Sequence, residues 1–182
     1  MDLTAMTTLD NKETFSSNET VSLSTRLSGS LDLLNIEKLN IITFSGAAID
    51  VSGSIADVTK IPDSRCKLAF HTNPVSRNQA MNMMTLFGSV PVLPDFKPCA
   101  ISGSIGNTFN YPEFDIQIIS ASGNFGLTGN YDLKTNFSKL NASLNDVKIR
   151  EMFGEQYPEN LTANLTWDGR LGALNELSGE GM

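Results

Sequence analysis

The sequence predicts a mainly β protein: an elongated antiparallel sheet built from repeats, either folded sharply along its length into a groove or closed around a filled core, with one or two short helices. Three observations carry this. Residues 123–133 alternate without a break, with Phe125, Leu127, Gly129, Tyr131 and Leu133 on one side and Asn124, Gly126, Thr128, Asn130 and Asp132 on the other. Apolar and polar residues at period two describe a strand with one dry face and one wet face. The same pattern occurs earlier, where Ile49, Val51, Gly53 and Ile55 oppose Asp50, Ser52 and Ser54, so that Gly53 superposes on Gly129. Finally, Gly29, Gly53, Gly103, Gly129 and Gly169 all fall on the apolar side, where a glycine marks a bend, a bulge or a close approach.

Residues 1–20 are polar and weakly patterned, and are expected to be a leader or the remnant of a preceding repeat. A first unit spans residues 21–95. Val21–Leu33 alternates, with Leu27 and Leu31 inward; two strands follow at Asn35–Phe44 and Ala47–Asp57, and Cys66, Leu68 and Phe70 form a further inward face. Pro62-Asp63 breaks the pattern between them. Residues 75–87 then change period: Val75, Gln79, Met83 and Phe87, with Ala80, Met84 and Leu86, recur at helical spacing. This Met-rich helix is first a plug against one end of the sheet, and second a soft lid over a greasy ligand, since Met fits irregular partners.

A second unit covers residues 96–158. Cys99, Ile101, Gly103 and Ile105 repeat the pattern of Thr25, Leu27, Gly29 and Leu31; Pro112 opens the strand Phe114-x-Ile116-x-Ile118, and Val147–Phe153 forms a second short helical turn. A third unit starts at residue 159, with Leu161, Ala163, Leu165, Trp167, Gly169 and Leu171 on one face. The period is roughly seventy residues; stacked sheet repeats bury a continuous core, and their terminal units need caps. No capping pattern is evident, so the chain is expected to be an internal piece of a longer protein.

Composition narrows the function. The 182 residues are 40% hydrophobic and 18% charged, enough for an ordered sheet, and the net charge of −7 argues against nucleic-acid binding, which needs a basic surface. No apolar run reaches the ~20 residues of a membrane span, and Met1–Glu13 lacks the basic-then-apolar order of a signal peptide. Cys66 and Cys99 are the two cysteines, both on apolar faces; buried free thiols are the simpler expectation, and a disulfide is the other.

Catalytic groupings are hard to assemble. His71 is the single histidine, on the polar side of its strand, with no metal-ligand spacing around it and no Ser-His-Asp set to join. The strings SGSIG and SGNFG open no helix, which excludes a phosphate loop, and carboxylates are scattered singly. Sequons at Asn18, Asn136, Asn141, Asn160 and Asn164 matter only in a secreted eukaryotic chain. Neither an enzyme nor a cofactor is expected.

The pieces LSGSLDLLN, ISGSIGNTFNYPEF, SGNFGLTGNYDL and LNDVKIREMFGEQYPENLTANLTWDG together resemble the AsmA/TamB superfamily, in the style of TamB-like translocation and assembly module proteins of Bacteroidetes, over residues 21–182. The resemblance implies a β-taco, a long sheet bent into a trough with an apolar lining. It also implies a full-length protein anchored in the inner membrane, spanning the Gram-negative periplasm and serving phospholipid transport to the outer membrane and outer-membrane protein assembly. The partners implied are phospholipid acyl chains, neighbouring repeats and an outer-membrane assembly protein reached through regions outside this chain. Candidate lining residues are Leu27, Leu31, Ile49, Val51, Ile55, Ile101, Ile105, Phe125, Leu127, Tyr131, Leu165 and Trp167. The alternative is a structural or adhesive secreted β-repeat protein with a filled core and no lipid.

Overall fold

The computed structural model describes residues 21–85, 93–171 and 177–178. The expected leader at residues 1–20, the end of the Met-rich helix beyond Thr85 and most of the chain after Leu171 lie outside them. Among the described residues, ten strands form one antiparallel meander in chain order: β1 (Ser22–Gly29), β2 (Leu33–Ile42), β3 (Ala48–Ala56), β4 (Arg65–Thr72), β5 (Cys99–Thr108), β6 (Tyr111–Ser120), β7 (Gly123–Asp132), β8 (Phe137–Val147), β9 (Leu161–Leu171) and β10 (Leu177–Ser178). Helix α1 (Arg77–Thr85) follows β4 and helix α2 (Ile149–Phe153) follows β8, so each set of four strands ends in a helix. The mainly β repeat sheet with two short helices is therefore what the sequence predicts. The sheet is open and uncurled among the described residues, which is consistent with a β-taco-like sheet: extensive contacts join only strands adjacent in the chain.

Directly paired residues of an antiparallel ladder share a face. The register accordingly draws apolar rows across the sheet. One runs Leu27, Ile36, Gly53, Leu68, Ile105, Phe114, Gly129, Leu140, Trp167. The next runs Thr25, Leu39, Val51, Phe70, Gly103, Ile116, Leu127, Ala142, Leu165. Each cross-strand apolar pair contributes about 0.2–1 kcal/mol, and this lateral packing is the main source of burial in the sheet. Among the described residues the buried apolar side chains are few (Ile36, Ala47, Cys66, Val75, Cys99 and Val147), which is the signature of a single layer.

The glycines reveal a repeat shorter than seventy residues. Gly29, Gly53, Gly103 and Gly129 lie on β1, β3, β5 and β7, each preceded by an apolar residue and a Ser or Thr: Leu27-Ser28, Val51-Ser52, Ile101-Ser102, Leu127-Thr128. A Cβ at any of the four would press into a backbone carbonyl of the following strand, respectively Leu33 O, Lys67 O, Asp115 O and Lys139 O. In each case that carbonyl belongs to the residue just before the glycine's partner. Gly53, at φ 141°, also has a backbone conformation that disfavours any side chain. Structurally the unit is thus a hairpin with one inward glycine, and two hairpins make the longer period.

Both helices hang from the same end of the sheet. Ser76 Oγ accepts from Gln79 N at 3.3 Å while Gln79 Oε1 accepts from Ser76 N at 2.9 Å, a capping box that starts α1. Gln79 Nε2 then donates to Ser45 O at 2.8 Å, tying the helix to the β2–β3 turn. Its counterpart at α2 is Lys148 N, which donates to Ser122 O in the β6–β7 turn at 2.9 Å. Gln79 and Lys148 thus anchor the two helices to neighbouring hairpin turns.

Two glycines on one strand separate the roles. Gly103→Ala places a methyl against Asp115 O and the Phe70 ring, whereas a Cβ at Gly106 meets nothing nearer than Cys66 O at 3.9 Å. Urea unfolding is expected to show Gly103→Ala destabilised by about 1–3 kcal/mol, the cost of overpacking. Gly106→Ala is expected to stay within about 0.5 kcal/mol of wild type, as open-surface substitutions do.

Candidate functional site

The sheet has two chemically different faces, and the candidate site is the apolar one. Leu27, Ile105 and Trp167 stand in one central row and Val51, Leu127 and Leu165 in the other. Ile49 extends a third row through Ile41 and Leu23, and Ile101 extends it through Ile118, Phe125 and Leu144. Thr72 joins the two halves, paired with Ile49 and accepting from Ile101 N at 3.0 Å through its hydroxyl. Ile55, paired with Cys66, and Tyr131, paired with Ser138, lie toward the opposite edge.

Leu31 alone leaves this arrangement. β1 ends at Gly29, whose φ of 108° turns the chain, and Leu31 sits in the β1–β2 turn at 66% exposure with its carbonyl accepting from Val58 N. It is a rim residue, and the expected inward position on a longer first strand is corrected.

Sequence reasoning placed a strand at Asn35–Phe44, overlapping β2, but named none of its inward residues. Arg26 pairs with Lys38 while Leu27 pairs with Ile36, so Glu37 is an extra residue in a bulge, and the alternation of LLNIEKLNII breaks there. The bulge restores Leu39 and Ile41 to the apolar face beyond it. Leu68, Phe70, Phe114, Ile116 and Leu140 belong to the same face; their clean alternation made them findable.

No described element covers this face. Its central side chains are half-buried by their lateral neighbours, and those near the first and last long strands are open: Leu27 is 51% exposed and Leu165 59%. A contiguous uncovered apolar surface of this extent marks an interaction surface. The Trp167 indole N–H is shielded from solvent without an acceptor, its ring packed over Gly169.

The opposite face is polar. Depressions of about 630 Å³ (Lys67, Ser104, Glu113, Asp115, Thr128, Asn130, Asn141) and 290 Å³ (Gln117, Gly126, Thr128, Asn164, Thr166) open mainly on that side. His71 lies there, exposed, with Nε2 3.6 Å from Asp50 Oδ2. Among the described residues no three His, Cys, Asp or Glu side chains are grouped to hold a metal.

The cysteines are free and buried. Cys66 pairs with Asn107 on β5, and Cys99 is eight positions away on that strand, so the two are about 26 Å apart at ~3.3 Å per residue. A disulfide needs Cα atoms within about 7 Å, so these thiols do not bond to each other. Comparison with protein-family models, with curated proteins and with solved structures finds no match to this chain.

Burial pushes both thiols above their ordinary range, because desolvation penalises the thiolate. The raised folded-state pKa costs nothing below the unfolded value of 9.0 and lowers stability as pH rises past it, where the unfolded chain ionises first. Iodoacetamide at pH 8 is expected to alkylate the native thiols at least tenfold more slowly than those of the urea-unfolded chain. Equal rates in the two states would contradict the assigned burial.

Proposed function

We propose that this chain is a segment of an AsmA/TamB-like protein of the Gram-negative periplasm, whose apolar sheet face shields lipid acyl chains during phospholipid transport to the outer membrane and outer-membrane biogenesis, including outer-membrane protein assembly. In this reading the full-length protein is anchored in the inner membrane, adjoining repeats extend the surface, and the chain needs neither catalytic group nor cofactor. The observation that carries it is the unbroken apolar face from β1 to β9 with no described layer upon it.

The magnitudes agree with such a task. Each methylene withdrawn from a bilayer costs about 0.8 kcal/mol, so a ~16-carbon chain left bare in water costs on the order of 12 kcal/mol. A carrier must replace that apolar contact along its whole path. The rows extend about 38 Å across the strands at ~4.8 Å spacing, and the band is ~20 Å wide along them. One leaflet of a bilayer is about 15 Å deep, so either direction accommodates an acyl chain. A structural protein with a filled core needs a second layer, which the described residues do not supply.

Photocrosslinking residues placed at Leu127 and at Thr128, in Gram-negative cells, test the reading on adjacent residues of opposite face. Phospholipid adducts are expected at Leu127 and not at Thr128. A folded protein with adducts at neither position would overturn the carrier function.

A further inference from the structure

We infer that, free of lipid, this chain pairs face to face with a second copy of itself through the same apolar surface. The inference rests on the apolar face assigned above and adds an occupant for it in water. Two observations support it. The band from β1 to β9, about 38 Å by ~20 Å, gives a footprint near 800 Å² per copy, the size each partner contributes to a standard stable interface.

The rows themselves carry no Asp, Glu, Lys, Arg or His; the charged side chains of these strands lie off them. Depletion of charge at the centre is what distinguishes a protein–protein interface from ordinary surface. Two such faces packed at the ~10 Å spacing of stacked sheets would give a twofold pair with a dry core. Acyl chains and the second copy then compete for one surface.

The test is sedimentation velocity of the 182-residue chain at tens of micromolar, first without lipid and then with micelles of palmitoyl-lysophosphatidylcholine. A dimer is expected without lipid, converting to a lipid-bound monomer on addition. Leu165→Lys, at a position exposed enough to leave the strand folded, is expected to weaken dimerisation at least tenfold, and Thr166→Lys on the opposite face to leave it unchanged. Circular dichroism verifies that both variants fold, and Leu27→Lys with Ser28→Lys repeats the comparison on β1. A folded wild-type monomer without lipid, or equal effects of the two lysines, would overturn the pairing. A lipid-binding monomer leaves the carrier reading standing and removes this one; a dimer that takes up no lipid does the reverse.

Discussion

In-register cross-strand pairing is the interaction on which everything else here depends. A single-layer sheet has no opposing layer to bury its side chains, so each apolar residue is shielded chiefly by the one beside it on the next strand. The pairing therefore has to sort residues by face on every strand at once, because a one-residue slip would exchange the dry and wet sides. The sequence meets this demand with uninterrupted alternation on β6 and β7, and with a bulge on β2 that resets the phase after Glu37. The inward glycines answer the same demand locally, since a carbonyl of the following strand occupies the space a side chain would need.

Those local rules explain what was legible. The β class, the four-strand spacing of the helices and most of the apolar face follow from period-two alternation and from the change of period at Val75. The hairpin-length repeat was present as an apolar residue, a Ser or Thr, then Gly, but its meaning lay in a contact with the neighbouring strand, which alternation does not encode. Leu31 was misplaced because alternation continues past Gly29 while the backbone turns there. The cysteines show the limit most plainly. Both carry the mark of an inward residue, yet whether they meet depends on which end of β5 faces Cys66, a property of the meander.

The two faces divide the chemistry. The polar side, with Lys139 and Asp168 in an exposed ion pair and His71 beside Asp50, keeps the sheet wetted and contributes little stability of its own. The apolar side is a surface that water alone covers at considerable cost. A lipid carrier reading and pairing between copies are two responses to that one fact, and both place the occupant on the same rows. Helices α1 and α2 are held at the sheet's end by Gln79 and by Lys148.

Trp167, the only tryptophan, stands in a central row of that face and reports on its occupant without any substitution. The decisive measurement is quenching of its fluorescence by phospholipid brominated at mid-chain, against the same lipid unbrominated. The account predicts strong quenching by the brominated lipid alone, as bromine atoms come within contact of the indole. Emission unchanged by either lipid, from a folded protein, would contradict the claim that this face receives acyl chains.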